Sequence, residues 1–261
     1  FFDFCQHVPF YGCVIACADH PGTQRLAARL PNRQVITYGF SRAADLQALD
    51  LHADATGSTF TVRWPDGALT PAVRLPVVGQ HNVLNALAAL AAAHAAGVDR
   101  ATAGAALSAF KPVKRRFSHL GVCHGTALIE DYAHHPAEIA ATLQAAAQAY
   151  GAPPAVVFQP HRYSRLAPLL NEFANSLKGC AAVAILPVYA AGEDPRPGVD
   201  HHALAQGIQG AVALADANAM QAWVGQQLGQ VPAVLFLGAG SISQWAQAYA
   251  HQASAAAPLA G

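Results

Sequence analysis

A polar segment at the middle of the chain combines residue types that could handle protons and bind ligands. Residues 127–138 read ALIEDYAHHPAE, an apolar run followed by Asp131, Tyr132, His134 and His135. A histidine titrates near neutral pH and can orient a substrate or move a proton. The alternative is an ordinary strand-to-helix turn in which Asp131 caps the helix and the histidines are solvated. On this segment alone the two interpretations have about equal weight.

A second segment, FQPHRYSR at 158–165, offers His161, Arg162 and Arg165 after another apolar run. Guanidinium groups bind carboxylates and phosphates through their forked donors. Ligands of open parallel sheets bind at the carboxyl ends of the strands, so we expect both segments at one edge, on neighbouring strands, as an anion clamp. An exposed charged loop is the alternative, but two such loops on consecutive strands make chance a weaker explanation.

Four other motifs have weaker signals. His81-Asn82-x-x-Asn85 puts two amides on one helix face, where they could bind an adenine edge, although on spacing alone an N-cap at Asn82 and a surface residue at Asn85 are favoured. Lys114-Arg115-Arg116-Phe117 suits phosphate or a basic linker. The segment 190–195 (AAGEDP) could be a further wall of a ligand cleft, but a Pro/Gly turn is favoured. The segment 238–241 (GAGS) is also favoured as a turn, since it lacks the third glycine of a dinucleotide fingerprint.

The pattern of apolar residues predicts two domains with a boundary near Lys111-Pro112-Val113. Residues 1–112 alternate strand and helix, then contain an antiparallel hairpin set over 45–78 and two helices over 79–110. In residues 113–261 five buried strands alternate with helices, which predicts a doubly wound parallel sheet. The strands are predicted at 127–132, 155–160, 182–188, 211–215 and 233–240. The alanine-rich tail, 253–261, is expected to fray.

Composition narrows the function classes. Fifteen basic residues balance 15 acidic ones, so no basic field favours nucleic acid or an anionic membrane. Five cysteines without a CxxC pair are typical of a reduced, cytoplasmic protein. The first residues, FFDFCQHVPFYG, do not resemble a signal peptide, and the chain opens inside an amphipathic pattern, so we expect upstream sequence to be missing.

In their order, the segments GQHNVLNALAAL, KRRF, EDYAHHPAEIAAT, VFQPHRYSR, LPVYAAGEDP and GAGSIS resemble the Mur ligase family, and most closely its alanine-adding branch. The resemblance implies residues 1–112 as the later part of a P-loop-type ATP-binding central domain and 113–261 as a Rossmann-like C-terminal domain. It also implies an ATP-dependent ligase of peptidoglycan synthesis that joins L-alanine to UDP-N-acetylmuramate through an acyl phosphate. The N-terminal domain, the P-loop and the Mg²⁺ ligands are not found, so we expect the chain alone to be inactive and to hold no metal.

The resemblance also assigns roles to individual residues. The nucleotide-binding residues would be His81, Asn82, Asn85, Arg116 and Asp131, the first three at the adenine. The substrate-binding residues would be Tyr132, His134, His161, Arg162 and Arg165, of which His134, Arg162 and Arg165 are also expected to act in catalysis. Two alternatives stay open: a non-catalytic nucleotide- or sugar-binding module without an ATPase half, and a dinucleotide-binding domain suggested only by GAGS.

Overall fold

A computed structural model describes the backbone of residues 1–256. Beyond residue 256 the tail expected to fray lies outside the described residues. The chain divides into two compact units, Phe1–Lys111 and Pro112–Gly261. Each unit has its own sheet and its own buried core.

The first unit is a five-stranded sheet with helices, in strand order β1-β2-β3-β4-β5. Strands β1 to β3 run parallel, and β4 and β5 continue the sheet as antiparallel hairpins, so the predicted hairpin set is confirmed. The strands are β1 (Cys13–Cys17), β2 (Gln34–Gly39), β3 (Leu46–Asp54), β4 (Gly57–Arg63) and β5 (Leu69–Leu75). The helices are α1 (Phe2–Gln6), α2 (Pro21–Ala28), α3 (Gln80–Ala95) and α4 (Arg100–Ser108).

Helix α3 covers this sheet because its apolar residues recur at helical spacing. Val83, Leu87 and Leu90 are buried in one cluster with Phe60 and Trp64 of the hairpin region. The helix ends before Gly97, whose φ of +80° is a left-handed conformation that glycine adopts without strain.

The second unit is a six-stranded sheet in the order β10-β9-β8-β11-β7-β6. Every neighbouring pair is parallel except β6 with β7, so the predicted doubly wound sheet is confirmed. The strands are β6 (Ser118–Cys123), β7 (Thr126–Asp131), β8 (Ala155–Phe158), β9 (Ala182–Ile185), β10 (Val212–Ala213) and β11 (Ala233–Leu237). The helices are α5 (Pro136–Tyr150), α6 (Tyr163–Leu166), α7 (Leu170–Ser176), α8 (His201–Gln206), α9 (Ala217–Gln227) and α10 (Ile242–Ala256).

Two sequence expectations about this sheet were wrong. Strand β6 was not predicted, because SHLGVC contains a glycine and lies half exposed at the sheet edge. Strands β7 and β8 are not neighbours, because the last strand of the chain, β11, inserts between them and pairs with both. The carboxyl ends of β7, β11, β8 and β9 still meet at one edge, since all four strands are parallel.

Candidate functional site

A row of aromatic side chains spans that edge of the second sheet. His134 follows β7, His161 follows β8, and their ring centroids lie 6.2 Å apart. Tyr132 packs against His134 at 5.1 Å, and Tyr189, beyond β9, stacks on His161 at 5.4 Å with an interplanar angle of 16°. The predicted proximity of the two histidine segments is therefore observed, although an intervening strand separates them.

The glycines that follow β11 pack closely against the segment after β8 and the loop after β9. A Cβ at Gly240 would lie 2.5 Å from Gln159 Oε1 and 2.6 Å from the Tyr189 ring, too close for any other residue. Gln159 is buried; its amide nitrogen donates to Ser241 Oγ at 3.0 Å, and its oxygen accepts from the Ile242 backbone N–H at 3.0 Å. The GAGS segment thus forms a tight turn packed against Gln159 and Tyr189, as the favoured interpretation predicted.

His134 is fixed by contacts of its own backbone region. Its Nδ1 lies 2.9 Å from the carbonyl oxygen of Tyr132 and 3.3 Å from Glu138 Oε2, while its backbone N–H donates to the same carboxylate oxygen at 3.0 Å. A carbonyl can only accept, so this contact assigns the hydrogen to Nδ1. In the neutral ring Nε2 is then the acceptor, which is the form that can take up a proton.

The second histidine lies in a cationic, partly buried environment. Burial is the first cause that lowers the pKa of His161, and the charges of Arg165, His134 and Arg162 lower it further. These effects favour the neutral form of His161. Two buried atoms here, His161 Nδ1 and Arg165 Nη1, make no hydrogen bond within the described residues. Because an unsatisfied buried donor is costly, such atoms favour a bound anion or other acceptor.

The basic segment 114–117 lies against the same edge. Arg115 donates to the carbonyl of Gly238 at 2.8 Å, and its guanidinium lies 4.6 Å from the Tyr132 ring centroid. Arg116 lies 5.8 Å from that ring. The segment is held in an uncommon backbone conformation, with φ of +64° at Arg115 and +47° at Phe117. Strain of this kind persists only where surrounding contacts determine it.

Asp131 supplies one of those contacts, to Phe117. Its buried carboxylate accepts from the backbone N–H groups of Phe117 and Ala133, each at 2.7 Å. Desolvation raises the pKa of Asp131, and the two hydrogen bonds and the charge of Arg116 oppose that shift. Asp131 is therefore an internal brace for the arginine segment; whether it also touches a nucleotide stays a prediction.

In the first unit, the amide pair lies in the first two turns of α3. Asn82 Nδ2 donates to the Val78 carbonyl at 2.8 Å, and Asn85 Nδ2 lies 3.5 Å from Asn82 Oδ1. The two side chains share a face, as their spacing predicts. Gly79, with φ of +98°, is the N-cap, so the alternative of Asn82 as N-cap is wrong. His81 and Asn85 are exposed.

Comparisons with known proteins agree with this architecture. Residues 1–93 match the family model of the Mur ligase middle domain, and residues 115–240 match that of the Mur ligase glutamate ligase domain. The chain belongs to the Mur ligase family.

Relatives with assigned functions are close in sequence to this Mur ligase chain. It is 43% identical over 256 residues to UDP-N-acetylmuramate–L-alanine ligase of Maricaulis maris, covering 95% of this chain and 55% of the relative. It is also 43% identical to the protein of the same name in Paramagnetospirillum magneticum, with coverages of 94% and 54%. The chain thus spans about half the length of the curated relatives it matches.

Solved structures agree in fold. The crystal structure of UDP-N-acetylmuramate-alanine ligase from Thermotoga maritima superposes with a TM-score of 0.74 at 25% identity, covering 94% of this chain and 52% of that one. MurF ligase from Thermotoga maritima in complex with ADP superposes with the same TM-score, 0.74, at 14% identity, covering 98% and 57%. At that identity the second likeness shows the fold alone.

The structure of this Mur ligase chain brings together Tyr132, His134, His161 and Arg165 and braces the segment that carries Arg116. Sequence reasoning assigned no role to the supporting residues, which are Arg115, Glu138, Gln159, Tyr189 and Glu193. Arg115 and Glu193 lie in motifs that it considered, and Glu138 had a signal of its own, an acid four residues after a histidine at a helix start. Among the described residues no helix is long and apolar enough to cross a membrane, and no group of three His, Cys, Asp or Glu side chains could hold a metal ion.

Proposed function

We propose that this chain is the later half of an ATP-dependent ligase that joins L-alanine to UDP-N-acetylmuramate in the cytoplasm during peptidoglycan synthesis. Residues 1–112 would be the later part of the central ATP-binding domain, and residues 113–261 the C-terminal domain. The names of the relatives at 43% identity support the substrate class. The observation that carries the site is the pair of unpartnered buried nitrogens on His161 and Arg165 beside His134.

The cationic side of the site suits a carboxylate that becomes an acyl phosphate and then a tetrahedral intermediate. Negative charge grows at each of these stages, and preorganised donors such as Arg162 and Arg165 stabilise it without reorganisation. Burial and the charges of Arg165 and Arg162 lower the pKa of His161 and so favour its neutral form, which can donate one hydrogen bond and accept another. Tyr132 and His161 would border the muramoyl substrate.

His134 would serve the incoming amine. Its Nδ1 hydrogen is engaged by the Tyr132 carbonyl and by Glu138, which leaves Nε2 as the acceptor. The attacking nitrogen of alanine must lose a proton as the amide bond forms, and an imidazole with a free Nε2 acceptor is suited to take it. Glu138 would then stabilise the imidazolium, as the orienting acid does in other histidine pairs.

The nucleotide would be ATP, as the ADP complex of MurF ligase suggests for that protein. His81, Asn82 and Asn85 would contact the adenine, and Arg116 and Asp131 the rest of the nucleotide. Mg²⁺ would accompany ATP and neutralise charge on the phosphates. Its ligands and the phosphate-binding loop are expected in the part of the relatives that this chain does not span.

The test uses the complete parent protein, with ADP release measured on UDP-N-acetylmuramate, ATP and L-alanine. We expect turnover only with all three substrates, and a loss of about 10²- to 10³-fold in kcat/KM for Arg162→Ala. Arg42→Ala is the matched control, because it removes an exposed arginine whose side chain makes no hydrogen bond or ion pair among the described residues. Full turnover in Arg162→Ala would refute the assigned role. Substrate binding without any turnover would support the binding-module alternative instead.

A further inference from the structure

The segment that carries both arginines has little support of its own. Arg162 has a φ of +70°, which is uncommon and costly for a residue with a side chain. Helix α6, which follows it, has only four residues and receives no side-chain cap from Arg162. A polar segment of this kind does not hold two long cationic side chains in one direction by itself, so other contacts must fix it.

The loop after β9 supplies those contacts at two levels. At the backbone level, Arg162 N–H donates to the Tyr189 carbonyl at 2.9 Å, and Tyr189 N–H donates to the Pro160 carbonyl at 2.8 Å. At the side-chain level, Glu193 accepts from the Ser164 backbone N–H at 2.8 Å and from the Ser164 hydroxyl at 2.5 Å. Each carboxylate oxygen of Glu193 therefore receives one donor from the arginine segment.

We infer that Glu193 is a positioning residue, which clamps Ser164 and thereby directs Arg162 and Arg165 toward the substrate carboxylate. The inference rests on the proposed function for the identity of the substrate. The contact between Glu193 and Ser164 is a feature of the second unit alone. Ser164 lies between the two arginines in sequence, so fixing its backbone restricts both neighbours. Both carboxylate oxygens of Glu193 are engaged by Ser164, so Glu193 would act through that residue.

The charges around the clamp agree with an ionised Glu193. The two Ser164 hydrogen bonds are the largest causes that lower the pKa of Glu193, and the charges of Arg162 and Arg196 add to the shift. An acid held in its charged form accepts hydrogen bonds more strongly than an amide does. The loop that presents it is itself constrained, with left-handed φ values of +51° at Ala191 and +85° at Gly192.

The clamp is measured first, in the 261-residue chain, by NMR exchange of the Ser164 amide hydrogen and by tryptic cleavage after Arg162 and Arg165. We expect Glu193→Ala to speed the exchange about tenfold, the effect of losing a capping acceptor, and to expose both cleavage sites. Glu193→Gln keeps one good acceptor oxygen and should give an intermediate rate. Asp194→Ala is the matched control, because it removes an adjacent exposed acid that makes no hydrogen bond or ion pair within the described residues.

The positioning role is measured next, in the complete parent protein, from the separate KM values of the three substrates. We expect Glu193→Ala to raise the KM for UDP-N-acetylmuramate about tenfold, Glu193→Gln to recover part of the loss, and the KM for ATP to stay unchanged. An unchanged sugar KM, or an equal rise in both KM values, would overturn the inference, since a general loss of structure affects every substrate.

The two proposals fail in different ways. Faster Ser164 exchange in Glu193→Ala, in a parent that never forms the alanine product, would remove the proposed function and leave the clamp standing. Normal Ser164 exchange in the same variant, in a parent with full ligase activity, would remove the clamp and leave the function standing.

Discussion

Asp131 offers the sharpest test of how the second unit is held together. In Asp131→Ala the backbone N–H groups of Phe117 and Ala133 both lose an acceptor that lies 2.7 Å away in the native protein. Both donors belong to buried residues, Phe117 at 8% exposure and Ala133 at 1%, so water cannot replace the carboxylate without opening the segment. We therefore expect the variant to lose stability, and the arginine segment to loosen first.

The expected loss of stability follows from the two backbone N–H groups, of Phe117 and Ala133, that are left without an acceptor. An unsatisfied buried donor costs about 1–3 kcal/mol, which gives about 2–4 kcal/mol for the pair after some relaxation. The free energy of unfolding of a domain is about 5–15 kcal/mol, so the second unit should still fold. Asp131→Asn retains one acceptor oxygen and should lose about half as much.

The assay is urea unfolding of the 261-residue chain, followed by pulse-labelling hydrogen exchange of peptides from β7 and β11. This readout follows the second unit alone, so unfolding of the first unit does not interfere. With a urea dependence of about 2 kcal/mol per molar, the expected shift in midpoint is about 1–2 M for Asp131→Ala. Asp194→Ala should shift the midpoint by less than about 0.3 M.

A midpoint for Asp131→Ala within that control range would refute the reasoning. It would mean that the two amide groups find other acceptors at no cost, and that the brace between β7 and the arginine segment is not needed for the fold. The reasoning would also be contradicted if Asp131→Asn, which keeps one acceptor oxygen, were less stable than Asp131→Ala, which keeps none.

Three further expectations concern the same unit. The folded state holds the proton of Asp131 more tightly than the unfolded state, because burial raises the pKa of this carboxyl above its ordinary value of 3.8. The free energy of unfolding of the native protein, relative to that of Asp131→Asn, should therefore fall as the pH rises from 3.8 through the raised pKa. Urea titrations at several pH values measure this difference. Gly240→Ala should destabilise the second unit by about 1–3 kcal/mol, because the added Cβ has no space. Gly225→Ala, whose Cβ would lie in open space on α9, should stabilise the unit by up to about 1 kcal/mol in the same unfolding assay. Burial raises the pKa of Cys180 to about 12, so Cys180→Ser should leave the rate of native thiol labelling at pH 8 unchanged; slower labelling in that variant would contradict this.

Much of the architecture could be predicted because local patterns of apolar residues determine where the strands and helices form. The apolar runs predicted as strands form β7 and β11, which are buried along their whole length, as strands of a parallel sheet must be. Local patterns do not contain strand order, so the insertion of β11 between β7 and β8 could not be predicted from them. Strand β6 lacks both a long apolar run and regular alternation, and only its pairing with β7 makes it a strand.

The candidate site divides in the same way. The types and spacing of His134, His161 and Arg165 by themselves indicated an anion-binding edge, because parallel strands deliver their following loops to the same side of a sheet. Tertiary structure alone decided that Asp131 faces inward to brace Phe117 and that Glu193 reaches Ser164, 29 residues away. Hydrogen bonds between distant loops depend on which strand ends are brought together in space, and no periodicity in the chain encodes that.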